Sequence, residues 1–386
     1  MTCAPPSAAP AAAERFAGRL GDEVVLVTGF PGARAQALVE LLCEREPNIE
    51  LWLVVPPTEL EPAARRLSTS RHARERLRLI PGEPCAIDLG LSRQTYGELA
   101  ERVDRWFSLY QTVDPRARRE LAFRANLGAA REIAELAKVS DTLSHVTLLS
   151  SAAVFGDHVG PVAEEELAVG QTFRSPAAES LALAESLLRH RLAEVPLTVL
   201  RTPQVLGSRA GQVLPRPSGL HRLLAVLATA NADKALPLPP GSNRPVQAVP
   251  ADFLAEALYA VSLLGTRGHA YHVADADPPT LAEVLDRAAT YFGKRLEQSF
   301  DPRALGRMLL RSPGFWLSQQ SSGALSEWGN EAELLTRGGE RLLDRAGLRP
   351  PALLDYLDSV LRETQELISE QRLDGRHATT PFEVVA

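Results

Sequence analysis

Lysine is nearly missing from this chain. Its 386 residues hold three, Lys138, Lys234 and Lys294, and the remaining basic side chains are arginine. Cysteine is equally scarce. Cys3, Cys43 and Cys85 are too far apart for a metal-ligand spacing, and their odd number suits a reducing compartment better than a disulfide framework. The formal charge of -6 at pH 7 lacks the basic excess of a general nucleic-acid or anionic-membrane binder. No apolar run reaches the roughly 20 residues that span a bilayer. The opening MTCAPPSAAPAAAERF has neither a basic start nor a continuous apolar stretch, so residues 1–20 read as a flexible leader rather than a signal peptide. These gaps set aside a bound metal, nucleic acid and a membrane span, and the expected location is cytoplasmic. One further gap gains meaning below: no tyrosine or lysine occurs between residues 139 and 233.

What is present is a sizeable core, with 45% apolar residues, and an alternation of strand-like and helical stretches. EVVLVTG (23–29), IELWLVV (49–55), RLRLI (76–80), the weaker RWFSLY (105–110), HVTLLSS (145–151) and LTVLRTP (197–203) read as strands. Helical periodicity fills 32–46, 59–75, 92–104, 115–138 and 175–194. Nearly continuous apolar strands separated by helices predict a parallel sheet covered on both faces, a doubly wound Rossmann-type α/β fold. Past residue 209 the pattern loosens into Pro- and Gly-rich stretches with helices near 219–230 and 251–264, a late strand at AYHVAD (270–275), and a mainly helical run over 280–373.

The first strand runs into TGFPGARA (28–35). Gly29 and Gly32 are three apart and Ala35 takes the third small position, so the turn residues Gly29, Phe30, Gly32, Arg34 and Ala35 are the candidate cradle for a pyrophosphate. Small residues let the backbone approach, and the helix N-terminus offers free N–H groups. A tight strand-to-helix turn without a ligand gives the same pattern. The second strand ends Val54-Val55-Pro56-Pro57, with no carboxylate for a ribose and no cation for a 2′-phosphate.

Five stretches occur in one order: TGFPGARA, ANLGAAREIAELA (125–137), SSAAVFG (150–156), RTPQVLG (201–207) and VPADFLAEAL (249–258). Together they resemble an extended short-chain dehydrogenase/reductase, nearest to the fatty acyl and thioester reductases of the male-sterility type. IDLGLSRQTYGELAERVD (87–104) resembles the same group. The resemblance implies an NAD(P)-binding-like domain over 21–208, with 245–275 returning to the sheet. A smaller, mostly helical substrate-side region would cover 209–373, and a tail 374–386. It implies NAD(P) as cofactor, Asp88 as a neighbour of the adenine, Ser151 as the hydroxyl beside the substrate carbonyl, and Asn126 as a structural asparagine.

The family's proton donor is a tyrosine followed four residues later by a lysine. Counting back from Ala184-Glu185-Ser186-Leu187-Leu188 puts Ala177 and Leu181 at those two places. The six tyrosines are followed at that spacing by Ala100, Asp114, Leu263, Asp275, Arg295 and Val360. A positioned general acid contributes about 10²–10⁴ in rate, and neither Ala177 nor Leu181 carries a proton. Glu179 is expected at the surface, turned away from 177. Where the resemblance calls for two alanines after the fourth strand, Ser108-Leu109-Tyr110-Gln111 places Tyr and Gln, whose bulk would lie on the nicotinamide path. Tyr259, Trp316 and Trp328 are candidates to line an apolar pocket. The leading expectation is a pseudo-reductase that binds a nucleotide, a small acyl or apolar ligand, or a partner. The alternatives are an NAD(P)H-dependent reductase of a thioester or other carbonyl with an atypical proton donor, and a non-redox isomerase or cyclase. A homodimer, or a heterodimer with an active reductase, through helices 115–138 and 175–194 is the expected assembly.

Overall fold

The computed structural model describes residues 23–69, 76–114, 117–209, 219–230, 235–238, 241–297 and 331–374. The leader, Trp316, Trp328 and residues 375–386 lie outside them. In chain order the strands are β1 (Val24–Thr28), β2 (Glu50–Val55), β3 (Leu77–Pro81), β4 (Val103–Ser108), β5 (His145–Ser151), β6 (Val159–Val162), β7 (Leu197–Thr202), β8 (Gln204–Val205), β9 (Leu236–Pro237), β10 (Ala248–Val249), β11 (Ala270–His272), β12 (Leu296–Glu297) and β13 (Glu331–Leu334). The helices are α1 (Ala33–Arg45), α2 (Leu60–Thr69), α3 (Arg93–Arg102), α4 (Arg119–Val139), α5 (Pro176–Arg189), α6 (Gly219–Thr229), α7 (Ala251–Leu264), α8 (Leu281–Phe292), α9 (Arg337–Arg345) and α10 (Leu353–Asp374).

Seven strands form one parallel sheet in the order β11-β7-β5-β4-β1-β2-β3. The chain reverses its winding between β1 and β4, and the crevice beyond the carboxyl ends of those strands is where such sheets take ligands. Burial on both faces explains the unbroken apolar runs. Along β1, Val25 and Val27 join the core shared with Leu38, Phe253 and Leu258, whereas Val24 and Leu26 join the opposite core with Ile133, Ala184 and Leu188. A third core of α6, α8 and α10 side chains, among them Leu224, Leu285 and Leu357, lies in the region past residue 209.

Two expectations change. The weak fourth strand is a central one, and it occupies 103–108 rather than 105–110. Its apolar pattern is broken by Arg105, which is 1% exposed and ion-paired to Glu23 and Glu46 at the amino-terminal end of the sheet. The run over 280–373 is also not simply helical, since β12 and β13 lie within it. β13 pairs in parallel with β6. Beside that ladder the Glu164 carboxylate accepts the backbone N–H groups of Gly338 (2.6 Å) and Gly339 (2.7 Å) at the start of α9, and of His272 (3.0 Å). A carboxylate at a helix N-terminus satisfies donors the helix cannot. Glycine is needed at 339, because a Cβ there would stand 2.1 Å from the His272 carbonyl oxygen.

Candidate functional site

The predicted glycine turn closes β1 onto α1. Gly29 has φ +102°, and a Cβ on it would lie 2.8 Å from the Leu109 carbonyl carbon. Its lack of a side chain therefore lets the chain leaving β4 pass directly beside the turn, where Leu109 N–H donates to the Thr28 carbonyl (3.1 Å). Gly32 caps α1 with φ -55° and ψ 145°, a conformation open to any residue. Ala35 is 1% exposed, in the tight helix–strand packing expected of the third small position. Phe30 departs from its assigned role: its side chain is buried in the core rather than lining the turn. Asp88 is exposed in the short turn Ile87–Gly90, at φ 53° beside Leu89 at φ 55°. Glu132 of α4 accepts backbone hydrogen bonds from both residues, and its carboxyl is pushed up because burial outweighs them.

The other side of the crevice, over β4 and β5, is tied together by side chains. Gln111 is buried between the Leu149 carbonyl of β5 and the Arg34 guanidinium, and those neighbours assign its amide orientation: with nitrogen toward Leu149 and oxygen toward Arg34, it donates to the first (3.1 Å) and accepts from the second (3.0 Å). Tyr110 does not share that path. It turns toward α4, packing with Ala125 and Ala129, and its hydroxyl donates to Glu83 (2.8 Å) and lies 3.6 Å from the Cys85 sulfur. Burial drives the Tyr110 phenol far above its ordinary range. Asn126 clamps the next residue: its Oδ1 accepts from Thr112 N–H (2.8 Å), and its Nδ2 donates to the Thr112 carbonyl (3.0 Å) and to Ser180 Oγ of α5 (2.9 Å). The structural role implied for Asn126 is visible in these bonds.

Helix α5 carries the two positions at issue. Its first residue is Pro176, and Ser175 caps it by accepting from Ala178 N–H (3.3 Å). Ala177 and Leu181 are buried on it. Glu179 points outward to Arg119 (2.5 Å), which holds its carboxyl below the usual range. The Ser151 hydroxyl accepts from Ala153 N–H (3.2 Å), capping the short turn Ala152–Phe155. A cavity of about 20 Å³, room for about one water molecule, separates these elements and is lined by Gln111, Asn126, Ser150, Leu181 and Glu185. Tyr259, expected at an apolar pocket, lies instead under the Arg45 guanidinium at the amino-terminal end of the sheet, where burial and the Glu46 carboxylate push its phenol up to about 12.

Beneath the Ser151 turn runs a buried network that the sequence reading missed. Ser150 Oγ donates to Glu185 (2.8 Å), Arg201 Nε donates to Glu185 (3.1 Å), and Arg201 Nη1 donates to His272 Nε2 (2.9 Å) and to the Glu164 carbonyl (3.0 Å). His272 Nδ1 then donates to the Leu335 carbonyl (3.1 Å). Burial first, and the Arg201 charge second, hold the His272 pKa down to about 3, so the ring is neutral. The available signal was an arginine inside an apolar strand and a glutamate inside ALAESLL. A charge at such a position requires a buried partner.

The crevice therefore fits a dinucleotide unevenly. The Gly29–Ala35 turn can take a pyrophosphate, but Gln111 and Arg34 meet over β4 and β5, where the second mononucleotide of such a ligand would lie.

Comparison with known proteins agrees with this framework. Residues 27–258 match the NAD-binding family described as male sterility protein. Fatty acyl-CoA reductase 1 of Arabidopsis thaliana is 20% identical over 352 residues, covering 72% of each chain. A carboxylic acid reductase of Segniliparus rugosus is 29% identical over 221 residues, which are 53% of this chain and 18% of that protein. The terminal R domain of the myxalamid PKS-NRPS pathway superposes with a TM-score of 0.73 at 20% identity, over 93% of this chain and 92% of that one.

Proposed function

The chain belongs to the male sterility protein family, within the extended short-chain dehydrogenase/reductases of thioester reductase type, and from that premise we propose that it is a pseudo-reductase: a nucleotide- or ligand-binding protein on a reductase scaffold. The observation that carries this reading is α5, which presents buried Ala177 and Leu181 at the places the resemblance assigns to tyrosine and lysine. A nicotinamide cofactor, when bound in such a scaffold, supplies hydride. In the family the resemblance names, the proton comes from the tyrosine whose place Ala177 takes.

The polar groups near Ser151 do not supply one. Glu185 and Arg201 hold each other as a buried ion pair, and Ser150 is committed to Glu185. His272 is neutral and saturated between Arg201 and Leu335. Tyr110 is held protonated beside Glu83. What these groups do is fix α5, β5, β7 and β11 to one another. The Gly29–Ala35 turn remains the place for a phosphate-bearing ligand.

The test is turnover. Purified protein with NADH or NADPH, offered an acyl-CoA or an aldehyde, is expected to oxidise neither cofactor above the buffer rate. Steady consumption coupled to aldehyde or alcohol product overturns the reading and favours a second one, an acyl thioester reductase with another proton source. That alternative draws its support from the reductases among the curated relatives.

A further inference from the structure

We propose that Arg34 and Gln111 form a latch that sets the ligand class of the crevice, disfavouring a complete nicotinamide dinucleotide and favouring an adenosine 5′-phosphate without the nicotinamide riboside. The inference rests on the reading that the glycine turn takes a nucleotide, and it deepens that reading.

Three features make the latch a fixed part of the fold. Gln111 is 5% exposed and makes two opposed hydrogen bonds, so its amide is held at both ends between Leu149 and Arg34. The residue after it is clamped by both polar atoms of Asn126, so the backbone beneath the amide cannot swing aside. The bond to Arg34 is charge-assisted, a class about twice as strong as one between neutral groups. Arg34 belongs to the first turn of α1, on the β1 side of the winding reversal, and Leu149 belongs to β5 on the other. The span therefore crosses the carboxyl end of β4. In a doubly wound sheet each half binds one mononucleotide, and the half over β4 and β5 is the one the latch crosses.

Among the described residues, the positions that serve a dinucleotide in the family this chain resembles offer little in exchange on that half. Ser151 is turned onto Ala153, and Ala177 and Leu181 are apolar. The half over β1–β3 keeps its open cap at Gly32 and carries no such crossing. Since Val55 and Pro56 give a ribose neither a carboxylate nor a cation, the latch treats NADH and NADPH alike.

Calorimetric titration of the full chain with ADP, NADH and NADPH tests this on the wild-type protein alone. ADP should bind at least about tenfold more tightly than either dinucleotide, the factor carried by about 1.4 kcal/mol. In Gln111→Ala, NADH affinity should rise about tenfold while ADP stays within about twofold, leaving the two nearly equal. Gln111→Gly serves if the alanine variant melts early. NADH binding wild type as tightly as ADP, or an unchanged ratio in a folded variant, overturns the latch and leaves nucleotide binding standing. If neither ADP nor NADH binds to wild type or variant, the nucleotide reading itself falls, and the latch with it.

Discussion

The two halves of the crevice stand on one sheet but are held in opposite ways. The β1–α1 half depends on what is missing from it: Gly29 has no Cβ, so the Leu109 backbone can pass within contact, and Gly32 leaves the start of α1 uncovered. The β4–β5–α5 half depends on side chains, with Gln111, Asn126, Ser150, Glu185, Arg201 and His272 each bonded to a fixed partner. A site that moves protons needs a group whose charge can change near neutrality. In the second half, these named polar groups are committed to bracing. On the pseudo-reductase reading proposed above, the polar groups of this half serve to lock its elements together.

The largest expected effect breaks that bracing. Arg201→Met leaves the buried Glu185 carboxylate only the more distant Arg189 (3.8 Å) as a cation, a loss approaching the roughly 3–5 kcal/mol of a broken buried pair. Guanidinium unfolding should show it as a large fall in midpoint. Adding Glu185→Gln should recover part of the loss, because the uncompensated charge is then gone. A wild-type midpoint in Arg201→Met would mean that the network does not hold this half together.

Next comes the contrast within the glycine turn. Gly29→Ala must adopt φ near +102° and press a methyl against the Leu109 backbone, a cost of about 1–3 kcal/mol. Gly32 has an ordinary φ, so Gly32→Leu should leave the unfolding midpoint nearly unchanged while abolishing nucleotide binding. Unaltered ligand affinity in Gly32→Leu would remove the turn from the site.

The smallest effect is on pH dependence. His272 titrates near 6.5 when unfolded but at about 3 when folded. Between those values the unfolded chain binds the extra proton, so the contribution of His272 is complete above pH 6.5 and is lost as pH falls toward 3. Carboxylates held low, such as Glu98 and Asp157, change in the same direction. The informative quantity is therefore the difference: His272→Gln should lose less stability than wild type between pH 7 and 4. Parallel profiles would show that the ring is not held neutral.

Much of the framework was legible because it rests on periodicity. The apolar runs of β1, β2, β5 and β7 predict strands close to those found, and α7 matches at both ends. β4 was harder because Arg105 belongs to a buried ion cluster, and a charge in a strand resembles a surface residue until Glu23 and Glu46 are placed beside it. β6 was hidden by its own Gly160 and Pro161, and its partner β13 lies far along the chain, where no local pattern can reveal it. In the crevice, the bulk of Tyr110 and Gln111 was visible in the sequence, but not the direction of either side chain. Tyr110 found Glu83 and Gln111 found Arg34, and both choices depend on segments brought together only by the fold.

The Glu164 clasp has a consequence for biosynthesis. Its carboxylate waits for Gly338, 174 positions downstream, and β6 waits for β13 over a similar interval. At typical elongation rates that is roughly ten to thirty seconds, within which β7 and β11 are made and can join the main sheet. Until that later segment is made, the Glu164 carboxylate and β6 have none of the partners that α9 and β13 give them, so this corner of the molecule can close only after the seven-stranded sheet is complete.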